Sequence, residues 1–424
     1  MKPNNKKIFI SIASYRDPEL IPTIQDCLAK ARNPNNLYFG IFAQRDETET
    51  VDQLYGNHPN FRIDGCDWKD SKGACWARHL IQKKLFRDEG YYLQLDSHHR
   101  FIQDWDEYLI YLMGIAESNK PIIGTYGTTY WPDRPEEDLK NEPYKISAFD
   151  TFTEDGDIIS RPIYMSNHKN MGAELVTASL LSGHFIFTYG HFCREVMYDP
   201  NFYFRGEEIT LSARAYTHGY DMFHPTKTII WHEYLRVQRN KHWNDHTKNN
   251  GFSLEAEDRN IRSKERQRKL LMMEPCNIDF RHYGLGRQRS LHDYELWAGL
   301  DFKKRRVHKY CADYRGNSPH PYRMTEQEWE AGMLETYTYD IEWPYEKIPD
   351  NTDFDFWFFG FEKSTGELLY RKDFSHDDTF FHQYFQKHNN KYRARFGAEQ
   401  KPDQCVIIPH IRNADWAEKI IIPV

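Results

Sequence analysis

Tyr91-Tyr92-Leu93-Gln94-Leu95-Asp96-Ser97-His98-His99-Arg100-Phe101 is an apolar run that stops abruptly at a carboxylate, a small residue and two imidazoles. Residues 91–95 read as a buried strand. In open α/β sheets ligands bind just beyond the carboxyl ends of the strands, so Asp96 and His98 are expected to face a cleft. An Asp oxygen and a His nitrogen two residues apart suit one divalent cation with positions left open for phosphate oxygens. Such an ion neutralises charge on a departing nucleoside diphosphate. A strand-end turn with an aspartate cap has the same pattern, so the flanking elements carry the decision.

Upstream, residues 8–13 form an apolar strand. Asp17-Pro18 then offers an N-cap and first-turn proline for a helix whose stripe is Leu20, Ile21, Ile24 and Leu28. Residues 37–43 are the next strand. Ser71 can cap a second helix that buries Ala74, Ala77, Leu80, Ile81 and Leu85, with Gly90 ending it. Strand, helix, strand, helix, strand is the nucleotide-binding half of a doubly wound sheet. Neither G-x-G-x-x-G nor G-x-x-x-x-G-K-[ST] occurs, so a dinucleotide fingerprint or P-loop is not the binding device.

Downstream, residues 104–118 read as a helix and 121–126 as a strand, followed by a polar stretch over 131–158 that suggests an inserted loop or lid. Residues 180–189 form another strand, 207–218 a helix, and a further strand ends in Thr228-Ile229-Ile230-Trp231-His232-Glu233-Tyr234. Residues 236–271 are strongly charged and helical in part. Near the C-terminus, residues 353–361 and 368–374 flank Ser364-Thr365-Gly366, a hairpin signal, and 405–408 and 420–424 add two short strands. The expected organisation is one α/β domain over 1–310, a linker over 311–344 containing Asn317-Ser318-Pro319, and a β-rich module over 345–424.

The chain has 424 residues, enough for one large core and a smaller second one. A net charge of -7 provides no global basic field for nucleic acid, so none is expected as a partner. Its seven cysteines are scattered, odd in number and without a close C-x-x-C pair, which argues against a disulfide framework and a structural zinc site. No apolar run is long enough to span a membrane, no signal-peptide pattern opens the chain, and no Asn-x-Ser/Thr site occurs. A cytoplasmic protein is expected, and oligomers are compatible with the aromatic C-terminal segment.

Four motifs stand in one order: Ile10-Ser11-Ile12-Ala13-Ser14-Tyr15-Arg16-Asp17, Gly73-Ala74-Cys75-Trp76-Ala77-Arg78, Leu95-Asp96-Ser97-His98, and Tyr283-Gly284-Leu285-Gly286 with Arg289-Ser290-Leu291. Together they resemble the polypeptide α-N-acetylglucosaminyltransferases. Those cytosolic enzymes modify hydroxyproline on a ubiquitin-ligase adaptor of social amoebae and have many bacterial relatives. The resemblance does not extend to the C-terminal module. It implies a GT-A-type, Rossmann-like mixed sheet flanked by helices. It also implies a UDP-sugar donor, most simply UDP-GlcNAc, a Mn or Mg ion, retention of anomeric configuration, and a protein or peptide hydroxyl as acceptor. By the same resemblance Asp96 and His98 supply two metal ligands and His232 a third. Ser14, Tyr15, Arg16 and Asp46 would line the uridine pocket, Arg78 would reach the nucleotide or its phosphates, and Glu207 and Glu208 would sit beside the transferred sugar.

The chemistry asks for such residues in any case. A UDP leaving group develops negative charge, which a metal, Arg78 and Lys241 or Arg239 would stabilise in a site shielded from water. Glu207 or Glu208 would orient a hydroxyl, with front-face and double-displacement paths both open. Each assignment has a plainer rival. Arg78 can pair with a surface carboxylate, the two glutamates can stabilise a helix N-terminus, and His232 can be a core histidine. His242 and His246, four apart with Asp245 between them, would share a helix face and hold zinc in a hydrolase, although no H-E-x-x-H glutamate accompanies them. A non-catalytic sugar- or protein-binding scaffold is the remaining alternative.

Overall fold

The computed structural model describes residues 3–134, 144–164, 173–235, 240–312, 324–344, 354–375, 391–413 and 415–424. The N-terminal half opens with β1 (Ile8–Tyr15), α1 (Leu20–Ala29), β2 (Leu37–Arg45), α2 (Val51–Tyr55), β3 (Phe61–Asp67), α3 (Ala74–Lys84) and β4 (Tyr91–Leu95). It continues with β5 (His99–Phe101), α4 (Trp105–Ile115), β6 (Pro121–Gly124), β7 (Thr128–Thr129), β8 (Lys145–Phe152), β9 (Ile158–Tyr164), β10 (Leu175–Ala178) and β11 (Phe185–Tyr189). Then come α5 (Phe192–Glu195), α6 (Glu207–Thr217), β12 (Asp221–Pro225), β13 (Ile230–His232), α7 (His242–Asp245), α8 (Ala256–Leu270) and α9 (Leu291–Ala298).

Eight strands form one mixed sheet in the order β10-β12-β6-β11-β4-β1-β2-β3. From β4 to β3 all neighbours are parallel, whereas β11 runs antiparallel to both β4 and β6. Of the parallel strands, β1, β2 and β4 are covered on both faces, which is why they read as nearly continuous apolar runs. Within β1, Ile8, Ile10 and Ile12 join the core cluster of Leu20, Ile24, Leu109 and Leu112, while Phe9 joins Ala77, Ile81 and Tyr92 on the other side. This is the α/β class expected from the sequence: a mixed sheet flanked by helices, followed by β-rich C-terminal strands.

Several local expectations need correction. Asp17 is not the N-cap of α1, because the cap position belongs to Glu19. Its Oδ1 instead accepts the Glu19 N–H at 3.0 Å and closes the turn before the helix. The cap of α3 is Gly73 at φ 104, where an added Cβ would collide with Tyr203. Ser71 stands two residues earlier and accepts the Gly73 N–H at 3.2 Å. That helix stops at Lys84, not at Gly90, whose N–H is held by Asn5 just before β4. The expected lid over 131–158 is in part a hairpin: β8 is almost wholly buried and pairs antiparallel with β9. Residues 135–143 of that stretch lie outside the described residues.

A second, three-stranded sheet, β5-β13-β7, closes over the end of β4 and aligns His232 with His99. Further on, β14 (Leu300–Asp301), β15 (Arg306–His308), β16 (Met333–Glu342), β17 (Phe354–Glu362), β18 (Leu368–Ser375), β19 (Lys391–Ala398), β20 (Gln404–Ile411) and β21 (Ile420–Pro423) complete the chain. Strand β16 falls in the expected linker. It pairs with β15 on one side and from Glu335 to Glu342 with β19 on the other, so one sheet runs across residues 311 and 345. Asn317-Ser318-Pro319 lie outside the described residues. The hairpin around Gly366 forms as β17 and β18, and with β20 and β21 it packs an aromatic core of Trp343, Trp357, Phe359, Phe361 and Phe374. No helix of the described residues is long and apolar enough to cross a membrane.

Candidate active site

Asp96 follows β4 directly, and its backbone N–H is held by the His184 carbonyl at 3.3 Å. The Nε2 atoms of His98 and His232 lie 3.7 and 3.5 Å from Asp96 Oδ2. One ligand atom from each of the three residues falls within 4.8 Å of the others. Two supports bring them together. Thr23 Oγ1 in α1 is within hydrogen-bond reach of the carbonyls of Ser97 and His99 and accepts the His99 N–H, which shapes the segment after β4. The pairing of β13 with β5 then carries His232 over the same point, its ring centroid 4.6 Å from that of His98.

The electrostatics suit a cation. Burial works to raise the Asp96 carboxyl, but the His232 hydrogen bond and the Arg78 charge outweigh it and hold the group well below the usual carboxylate range. Burial, reinforced by His184, pushes His232 well below the usual imidazole range. The site therefore offers an anionic oxygen beside a neutral imidazole.

Asp96 and Arg78 form the wall between two cavities. The larger, about 240 Å³, is lined by His232, Glu207, Glu208, Ser182, Tyr126 and Tyr234 among others. Arg78 is buried there, with Nη2 2.6 Å from Asp96 Oδ1 and Nη1 paired with Glu207 Oε1. Glu207 also accepts the Tyr198 hydroxyl at 2.8 Å. Glu208 accepts the Gly183 N–H at 2.8 Å, Ser182 Oγ at 3.2 Å and Ser160 Oγ at 2.9 Å. Burial raises its carboxyl above the ordinary glutamate range. Both glutamates open α6, as expected, but their side chains are tied to the cavity wall and not only to the helix end.

The smaller cavity, about 80 Å³, lies toward β1 and is lined by Tyr15, Asp17, Gln44, His98, Lys241 and Trp243 among others. Beside it, Arg16 at φ 46 pairs with Asp46 at 2.7 Å and Asp245 at 2.8 Å, and its guanidinium sits 4.6 Å from the Trp68 ring centre. Hydrogen bonding from Thr48 leads the forces that bring the Asp46 carboxyl down to about 2. Tyr15 donates its hydroxyl to the same Asp245 oxygen at 3.1 Å. Ser14 behaves otherwise: its side chain is sealed inside the sheet and lines neither cavity, while its carbonyl accepts from Gln44. Arg239 lies outside the described residues.

The zinc arrangement does not form. Helix α7 is a single turn capped by His246, and the His242 and His246 rings lie 5.7 Å apart, but among the described residues no third metal-capable side chain joins them within reach of one ion. His246 Nδ1 is engaged by the Tyr203 hydroxyl at 2.9 Å, and burial brings its imidazole down to about 3. Asp245 faces Arg16 and Tyr15, and the Asp96, His98 and His232 set is where metal-capable side chains gather in threes among the described residues.

Sequence reasoning missed Asp17, Ser160, Ser182, His184 and Tyr198. The adjacency of Asp17 to Ser14-Tyr15-Arg16 was the one available signal. The others reach the site through folding of distant segments.

Among solved structures, GalNAc-T7 with UDP, GalNAc and Mn2+ is similar at 11% identity and a TM-score of 0.47, covering 99% of this chain and 72% of that one. The 1–349 fragment of S. aureus TarS in complex with UDP-GlcNAc is similar at 14% identity and a TM-score of 0.35, covering 56% of this chain. The match spans 60% of the TarS fragment. No curated protein matches the chain. The model of the glycosyltransferase (GlcNAc) family matches residues 7–56 and 51–304, most of the sequence, and the chain belongs to that family.

Proposed function

We propose that the protein is a metal-dependent, retaining glycosyltransferase that moves a sugar, GlcNAc first among the candidates, from a UDP-sugar to a hydroxyl of a protein or peptide. The observation that carries this reading is the Asp96, His98 and His232 cluster standing between two cavities, with the buried Arg78 beside it. One carboxylate and two imidazoles form a donor set that fits Mn better than Mg, which prefers oxygen ligands. When bound, the ion would neutralise the diphosphate as it leaves.

The remaining roles belong to the chain itself. The smaller cavity takes the nucleoside, with Tyr15 in its wall and Arg16, Asp46 and Trp68 forming a charged and aromatic cluster beside it. Arg78 directs its charge to the border of the two cavities, where the leaving phosphate would lie, and Lys241 adds charge from the nucleoside side. The larger cavity takes the sugar. Glu207 holds Arg78, and Glu208 orders the Gly183 loop with Ser160 and Ser182. Carboxylates engaged in this way suit the orientation of hydroxyls better than attack on carbon, which favours a front-face path for retention. The peptide acceptor rests on the motif resemblance. Free thiols at all seven cysteines support a cytoplasmic setting.

Calorimetric titration with UDP, first with Mn and then with chelator, tests the reading. A panel of UDP-sugars scored for hydrolysis and then for transfer to hydroxyl-bearing peptides follows. Metal-dependent UDP binding with one sugar cleaved preferentially is expected. No UDP binding under either condition would sink the proposal.

A further inference from the structure

Asp17 is almost fully buried, and its two oxygens are used separately. Oδ1 accepts the Glu19 N–H and closes the turn from β1 into α1. Oδ2 accepts the Ser97 hydroxyl at 2.7 Å and lies 2.7 Å from His98 Nδ1. An ionised carboxylate has no proton to donate, so the contact at 2.7 Å requires the proton on His98 Nδ1. The Nε2 lone pair is then left facing Asp96, at 3.7 Å from its Oδ2. His232 has no such anchor: its Nδ1 is buried without a hydrogen-bond partner, and strand pairing with His99 holds the ring in place. The two imidazoles are thus aimed by different devices, one by a carboxylate and one by sheet register.

We infer that Asp17 is a positioning residue for the metal site, fixing His98 in its Nδ1–H tautomer and presenting Nε2 to a divalent cation. The inference rests on the metal-dependent reading above. Carboxylate, histidine and metal in line is a general means of orienting a ligand and raising its basicity. The turn-closing bond of Oδ1 explains the fold but not why both Ser97 and His98 converge on the other oxygen.

Asp17→Asn separates the two jobs, because an amide has a single accepting oxygen. If that oxygen keeps the Glu19 N–H, the amide NH2 faces His98 Nδ1. The ring must then accept there and carry its proton on Nε2, where it blocks the metal lone pair.

The test combines two measurements on the full chain. Long-range 1H–15N spectra of the metal-free protein, with His98 assigned by His98→Gln, report the tautomer. Calorimetry with Mn alone reports affinity in the wild type, Asp17→Asn and Asp96→Ala. The expected result is Nδ1–H at His98 in the wild type, a shift toward Nε2–H in Asp17→Asn, and a loss of about 10- to 100-fold in Mn affinity at an unchanged thermal midpoint. Nε2–H in the wild type would overturn the inference without any variant. Undiminished Mn binding by Asp17→Asn, with the wild type binding normally, would overturn it alone. Failure of the wild type to bind Mn would overturn the metal reading itself and this inference with it.

Discussion

The two cavities that meet at Asp96 and Arg78 treat charge in opposite ways. On the nucleoside side, Arg16 is shared between Asp46 and Asp245 in pairs whose side chains are each about a fifth exposed. Water screens such pairs, and each contributes on the order of 0–1 kcal/mol. On the sugar side, Arg78 is buried between Glu207 and Asp96, where every charge depends on its partners. The smaller cavity can therefore be tuned by single changes, whereas the larger loses its arrangement when any one partner is removed. Under the proposed function the smaller cavity adjusts affinity, while the larger holds the reacting centre in a geometry that tolerates little change.

The largest effect is expected at the shared wall. Asp96→Ala should lower turnover by about a thousandfold or more with the circular dichroism spectrum preserved, since it removes a ligand and a partner of Arg78 together. Turnover close to the wild type in this variant would erase the distinction between the two cavities. Next, Arg78→Ala leaves Glu207 and Asp96 without their shared cation. A loss of about 3–5 kcal/mol in urea unfolding is expected, against under about 1 kcal/mol for Arg16→Ala. Equal losses would show that burial does not separate the two sides.

Glu208→Gln sharpens the comparison through pH. The folded-state pKa of Glu208 is raised by burial, so its favourable contribution is complete below the unfolded value and is lost as pH rises through the folded one. Relative to the wild type, the variant should therefore gain stability between pH 5 and pH 8 in urea unfolding, and a flat difference would contradict the assignment. The smallest effect belongs to Arg16→Ala, for which UDP affinity should fall by about tenfold, or 1.4 kcal/mol. The Asp46 carboxyl is lowered to about 2, so its pairing with Arg16 is present above the ordinary aspartate range and is lost as pH falls toward 2. Calorimetry at pH 6 and pH 8 should accordingly give the same contribution from this pair.

What was legible in the chain follows the same division. Strands β1, β2 and β4 announce themselves because both faces are covered, and α3 because its apolar residues recur along one stripe. Asp96, His98 and His232 were readable as polar residues at the ends of apolar runs. Strand β3 was not, because only Phe61 in it is buried and its mixed half-exposed surface matches no simple period. The β8–β9 hairpin looked like a polar loop because its burial comes from distant partners, including the Asp150 to Arg395 ion pair with β19. Ser160 reaches the large cavity, and Tyr198 the Glu207 carboxylate in its wall, by such long-range packing, which no local pattern announces. Asp17 was visible but underread, since an Asp-Pro pair before a helix already has a sufficient local explanation.

Asp96 and His232 are 136 positions apart in the chain, and they meet when β13 inserts between β5 and β7. During synthesis from the N-terminus, the strands carrying Asp96 and His98 emerge well before their third companion, so a nascent chain offers two ligands and no complete site. Assembly of the Asp96, His98 and His232 cluster is therefore coupled to the docking of β13. A chain stalled or cleaved before that strand would carry every strand of the eight-stranded sheet yet lack the third member of the cluster.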